Sequence, residues 1–105
     1  MRVFISVPMK GKTKEEIDKT LVEIKEKVRV KFNNEKIEFV NTFVEEKPPY
    51  ESGEHTPIWY LGKALEIVST CDMVVTLRDI DYSKYHGCYI EKETAIRYGL
   101  AVMLV

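Results

Sequence analysis

Apolar residues in this chain gather into short continuous runs that alternate with longer stretches in which they recur every three or four positions. Residues 3–7 (VFISV) form a compact, partly β-branched run that suits a strand buried on both faces. The PMKGK that follows is turn chemistry, and Thr13 with Glu16 three positions on makes a capping-box pattern that opens a helix. Ile17, Leu21, Ile24 and Val28 then repeat at helical spacing, predicting a first helix to about residue 32, where Asn33 and Asn34 end it. Residues 37–42 read as a second strand. The next stretch, 43–55 (FVEEKPPYESGEH), has two prolines, a glycine and no apolar period, and reads as a long loop. Thr56 before Pro57 predicts an N-cap, with Leu61, Leu65 and Val68 as the buried stripe of a second helix. Asp72 leads into a third strand at 73–77, and the polar loop 78–87 precedes a third helix from about 88 to 98. Gly99 stops that helix before a last strand at 101–105.

Continuously apolar strands alternating with helices imply βαβ units, right-handed crossovers and helices on both faces of a sheet. The expected fold is a small doubly wound α/β domain, flavodoxin-like or Rossmann-like in three layers, with a four-stranded parallel sheet in the order 2-1-3-4. In that order the chain reverses direction between strands one and three, and ligands in such sheets bind beyond the carboxyl ends at the reversal. Two loops are thereby nominated, residues 8–12 and 78–87, with 43–55 as a candidate lid, since loops of that length inside compact domains commonly serve binding.

At 105 residues and 45% hydrophobic composition, one domain spanning 1–105 can fill one core. The charged fraction is 31% and the formal net charge is -1, so the excess of Lys and Arg that marks nucleic-acid binding is absent. No segment approaches the roughly 20 apolar residues of a membrane span, and Pro8 breaks the N-terminal run too early for a signal-peptide core. A cytoplasmic protein without a membrane partner is expected. Cys71 and Cys88 lack a C-x-x-C spacing and read as reduced thiols. His55 and His86 add no metal-ligand spacing, so neither a metal nor a cofactor is expected. Gly11-Lys12-Thr13 imitates the end of a P-loop, but Ser6 stands where the first glycine is required.

Among residues that can do chemistry, Glu91 is expected in the first turn of the third helix, where free N–H groups and the helix dipole favour an ionised carboxylate. Two readings stay open there: a nucleophile, or a charge that compensates the dipole. Glu93, two residues on, faces another direction and serves as the control. Ser6, Pro8, Met9, Lys10 and Lys12 lie at the predicted carboxyl edge, where Ser6 and the lysines are placed to contact a phosphate. Tyr82, Tyr85 and Tyr89 flank the nominated loop as stacking candidates, whereas Trp59 and Tyr60 fit a core or a subunit interface.

Gly87-Cys88-Tyr89-Ile90-Glu91 with Ala95 and Gly99 beyond, preceded by the strand CDMVVTL, resembles the nucleoside 2-deoxyribosyltransferase family, whose small members include many from phages and prophages. The N-terminal FISVPM is similar to that family's first strand, with Val7 where Gly is usual. Related 2'-deoxynucleoside 5'-phosphate N-hydrolases share the pattern, and the Cys-x-x-Glu of the more distant Toll/interleukin-receptor-type NAD glycohydrolases is echoed by Cys88 and Glu91. All three groups cleave an N-glycosidic bond. The resemblance implies Glu91 as nucleophile through a glycosyl-enzyme, Gly87 and Cys88 beside the ligand, and a nucleoside or nucleotide as substrate. It also marks departures: Tyr85 stands six before the nucleophile, where transferases carry Asp and the hydrolases Ser. Ala64 takes the place of an acid on the second helix, and Phe4 that of the Tyr that orients the nucleophile. Asp79 or Asp81 is the loop acid that could stand in. The alternative is a non-catalytic nucleotide-binding or interaction module on the same scaffold. The chain ends on its fourth strand without the further elements of larger relatives, which leaves apolar surface and leads to the expectation of a homo-oligomer.

Overall fold

The computed structural model describes residues 1–40, 43–51 and 53–105. Four strands form one sheet: β1 (Arg2–Ser6), β2 (Glu38–Phe39), β3 (Met73–Thr76) and β4 (Ala101–Leu104). Three helices alternate with them: α1 (Lys14–Lys31), α2 (Thr56–Val68) and α3 (His86–Arg97). All pairings are parallel and the order is β2-β1-β3-β4, as the alternation of patterns predicts.

Side chains of successive strand residues point to opposite faces, and that alternation sorts the core in two. Val3, Ile5 and Val7 with Met73 and Val75 pack against Ile17, Leu21, Ile24 and Val28 of α1. Phe4 and Val74 pack on the other face against Ala64, Val68 and Ala95 of α2 and α3, with Cys71. The sheet is therefore sandwiched between α1 and the α2–α3 layer, which explains why its central strands are apolar without alternation.

Local chemistry sets the element ends. The Thr13 hydroxyl accepts from the Glu16 N–H while the Glu16 carboxylate accepts from the Thr13 N–H, both at 3.1 Å, so α1 opens on the expected capping box. Gly11, at φ 76°, makes the turn before it, where the Lys12 N–H donates to the Met9 carbonyl at 3.0 Å. At the opposite end of the sheet Arg2 staples three segments, donating to Glu38 Oε1 at 2.7 Å and to the carbonyl and hydroxyl of Thr70, while Asp72 accepts from its backbone N–H.

Several boundaries differ from the expectation. Strand β2 is only Glu38–Phe39; Thr42, the expected last residue of that strand, lies outside the described residues. Thr56 is the first residue of α2 and His55 its N-cap; the Thr56 hydroxyl instead accepts from the Gly53 N–H at 2.8 Å, closing the turn before the helix. The buried stripe of α2 is Ala64 and Val68, with Leu61 and Leu65 only partly covered. Helix α3 starts at His86, two residues before the expected place, since Gly87 adopts an ordinary negative φ and simply continues the helix.

Candidate functional site

The earlier start of α3 changes the setting of Glu91. It lies five residues after His86, in the second turn, beyond the free N–H groups of the helix start. The dipole-compensating role expected for it therefore does not apply. Helical spacing instead puts Glu91 on the same face as Cys88 and Ala95, both buried, so its carboxyl turns inward toward the sheet.

What it meets there is the end of β1. Ser6 follows Phe4 on the α2–α3 side of the sheet, is 1% exposed, and its hydroxyl donates to Glu91 Oε1 at 2.6 Å. Thr76 sits beside Ser6 in the β1–β3 register, on the same face, and is fully buried. Its hydroxyl is the buried side-chain polar atom that has no hydrogen-bond partner among the described residues. Ser6, Thr76, Cys88 and Glu91 thus form a small polar cluster at the carboxyl ends of the two central strands, where the sheet order reverses.

Burial dominates the electrostatics of this cluster. It pushes the Glu91 carboxyl up from its ordinary value near 4.5 to about 7, against the opposing effect of the Ser6 hydroxyl. Near neutrality Glu91 therefore exchanges between the acid and the carboxylate. Cys88 is pushed up to about 11, first by burial and further by the Glu91 charge, while its hydrogen bond with Ser6 works the other way. A thiol held protonated at neutral pH is a poor nucleophile, which leaves Glu91 as the group of this cluster that titrates near neutrality.

The other expected residues divide. Pro8 and Met9 leave the end of β1 partly buried, with Met9 against the α1-side core, and Lys10 and Lys12 stand exposed in the same loop. Asp79 and Asp81 are exposed in the loop after β3. The Asp81 carboxylate accepts from the Ser83 N–H at 3.0 Å and from the Ser83 hydroxyl, which holds it below the usual carboxylate range and commits it to its own turn. Tyr85 is the N-cap of α3 and is partly buried, with the Lys84 ammonium 5.3 Å from its ring centre. Gly87 lies in the first turn of α3 with open space where a Cβ would be.

Tyr89 does not flank the site. Two residues from Glu91 on a helix, it points to the opposite side, 47% exposed, and makes an edge contact with Tyr82 at 5.5 Å, with the Lys92 ammonium 5.1 Å from the Tyr82 ring. These three tie the loop to the outside of α3. Glu93 pairs with Arg97 at 2.9 Å on the outer surface and remains a sound control. Phe4 and Ala64 are sealed in the apolar cluster, 1% and 7% exposed, so a second acid has no place there. Trp59 and Tyr60 contact each other edge-on at 5.2 Å, near the start of α2. His55 and His86 are exposed, and no group of three His, Cys, Asp or Glu among the described residues could hold a metal ion.

Two surface grooves, of about 600 and 370 Å³, run along the β2 edge, one against α1 and the other against α2, and share Val40, Phe43 and Glu45 in their walls. Neither is lined by any residue of the Glu91 cluster. Phe43 packs on the α1-side core and Glu46 meets Lys63 of α2 at 3.4 Å, so this part of the expected lid lies along the sheet edge. Thr76 was not legible as a site residue from its strand alone. The signal that finds it is parity: Ser6 and Thr76 are the polar residues that end β1 and β3 on the face otherwise filled by Phe4 and Val74. Comparison with family models, curated proteins and solved structures produced no match to this chain.

Proposed function

We propose that this chain acts in the cytoplasm to cleave or transfer the N-glycosidic bond of a nucleoside or nucleotide, with Glu91 as nucleophile. The observation that carries this reading is the inward-facing Glu91 carboxyl, held by Ser6 at 2.6 Å at the carboxyl ends of the two central strands. In the first step the Glu91 carboxylate attacks C1' of the deoxyribosyl group, and the C–N electron pair leaves with the base, which takes a proton from solvent. In the second, water or an acceptor base attacks C1' and returns one proton to solvent, the bond to Glu91 breaks, and the carboxylate is restored. Water gives hydrolysis and a base gives transfer. Ser6 orients the attacking oxygen in both steps by fixing one lobe of the carboxylate. Lys10 and Lys12, on the loop leaving β1, would meet a 5'-phosphate where the substrate carries one.

The test is incubation with deoxynucleosides and deoxynucleoside monophosphates, with and without a free acceptor base, following base release or exchange by chromatography. A glycosyl adduct on Glu91, seen by mass spectrometry after rapid quench, is the expected intermediate. Turnover that survives Glu91→Gln would refute the assignment of the nucleophile.

One observation favours a second reading, a non-catalytic nucleotide-binding or interaction module: Phe4 and Ala64 close the apolar cluster where a second catalytic group would stand. A thermal shift with these ligands in the absence of any base release would select that reading. In either case exposed Ile58, Tyr60, Tyr89, Ile90 and Ile96 on α2 and α3 would support self-association into a homo-oligomer, and a monomeric mass by light scattering at micromolar concentration would overturn it. Among the described residues no helix is long and apolar enough to cross a membrane.

A further inference from the structure

We propose that Thr76 is a positioning residue that acts on Glu91 through Ser6, as the hydrogen-bond acceptor to which the Ser6 hydroxyl turns when Glu91 is protonated. The Thr76 hydroxyl is fully buried and without a partner while Ser6 donates to Glu91. A buried unsatisfied hydroxyl is costly, and native structures retain few of them. Ser6 and Thr76 are register partners on adjacent strands, about 4.8 Å apart, so a change between staggered rotamers brings their oxygens within reach.

Glu91 has two hydrogen-bonding states. As a carboxylate it only accepts, and Ser6 donates to it, as the structure shows. When it takes a proton from solvent, its own O–H can donate to Ser6 Oγ, and the Ser6 hydrogen must then find another acceptor. Thr76 Oγ1 lies beside it in the register and is unpaired. No bond between heavy atoms changes: the proton that Glu91 gains is the only one added, and the Ser6 hydroxyl rotates from Glu91 to Thr76. Thr76 therefore stabilises the acid form selectively and helps to keep Glu91 poised near neutrality.

Among the described residues no charged group shifts Glu91. Facing Glu91, β1 contributes Ser6 and β3 contributes Thr76, while α2 contributes the apolar Ala64 and Val68 to the adjoining cluster. On its own helix Cys88 stays protonated, and Glu93 is paired outward with Arg97. In the loops, Asp79 and Asp81 are exposed, as are Lys10 and Lys12.

The role rests on Glu91 being the working carboxyl of the proposed function, yet its readout needs no turnover. Glu91 is titrated by carbon-detected NMR in the full chain labelled with [δ-13C]glutamate, its resonance assigned by its loss in Glu91→Gln. Thr76→Val, which keeps the shape and removes the hydroxyl, should lower the Glu91 pKa by about half to one unit, and Thr76→Ser should restore it. In a Ser6→Ala background Thr76→Val should leave the Glu91 titration unmoved, because the link is cut. An unchanged or raised pKa in Thr76→Val, or an equal shift with Ser6 absent, would overturn the relay. A failed relay leaves the base-release assay untouched, and absent turnover leaves the titration shift in place, so the two proposals fail separately.

Discussion

Replacing Glu91 by Gln should make the folded protein more stable at neutral and alkaline pH and, under the proposed function, abolish turnover. The substitution keeps the shape of the side chain and removes the state that burial penalises most, the carboxylate. Glu91 is displaced from near 4.5 to about 7, so the native state binds its proton more tightly than the unfolded chain does. Below the unfolded value both states are protonated, and the favourable contribution of the proton is fully present. As pH rises from about 4.5 to 7 the unfolded chain releases the proton first, and the native state loses stability relative to it. The loss is complete above the folded pKa, and a shift of that size corresponds to about 3 kcal/mol as a ceiling. Gln has no proton to lose, so the stability of Glu91→Gln relative to wild type should be near zero at pH 4 and climb by about 2–3 kcal/mol by pH 8. Urea denaturation of both proteins across that range, compared at each pH so that other titrations cancel, measures this directly. A helix-terminal charge would behave in the opposite way, with Gln costing stability at neutral pH. A stability difference that stays flat with pH would refute the inward, desolvated setting of Glu91, and with it the electrostatic basis of the site. A variant that gains stability and loses turnover is the signature of a group kept for function at a cost to the fold.

Ser6→Ala removes the donor that opposes burial, so the Glu91 pKa should rise further, moving the acid limb of any pH–rate profile to higher pH. Ala64→Glu should destabilise by about 3 kcal/mol and confer no activity, because the new acid would be buried without a partner; a stable variant with faster base release would show that the second acid has room after all. Thr13→Ala should cost about 1 kcal/mol in urea denaturation through loss of the capping box and leave the Glu91 titration unchanged. Cys71 and Cys88, both buried and with thiols raised by burial, should react with a thiol reagent at pH 8 only after unfolding; rapid labelling of the native protein would contradict their burial.

How much of this could be read in advance follows from the range over which each feature is decided. The strands and helices were legible because periodicity is local: a short, β-branched apolar run such as VFISV suits a strand covered on both faces, and Ile17, Leu21, Ile24 and Val28 recur at the spacing of a helix with one buried stripe. The sheet order and the edge at which Glu91 sits follow from the alternation of those elements and the handedness of their connections. Even Glu91 was nominated by its place after the third strand. Its environment was not. Whether a carboxyl near a helix start is exposed to free N–H groups or turned into the sheet depends on where the helix begins, and the conformation of Gly87 decided that by letting α3 start at His86. The pairing of Ser6 with Glu91 joins residues 85 positions apart, and the neighbouring Thr76 enters only through the β1–β3 register. Sequence by itself determined which residues can carry a proton or a charge and roughly where along the chain they fall. Tertiary structure alone decided which of them lose water, because desolvation depends on what packs over a group from distant segments, and that loss is what raises the Glu91 carboxyl to about 7.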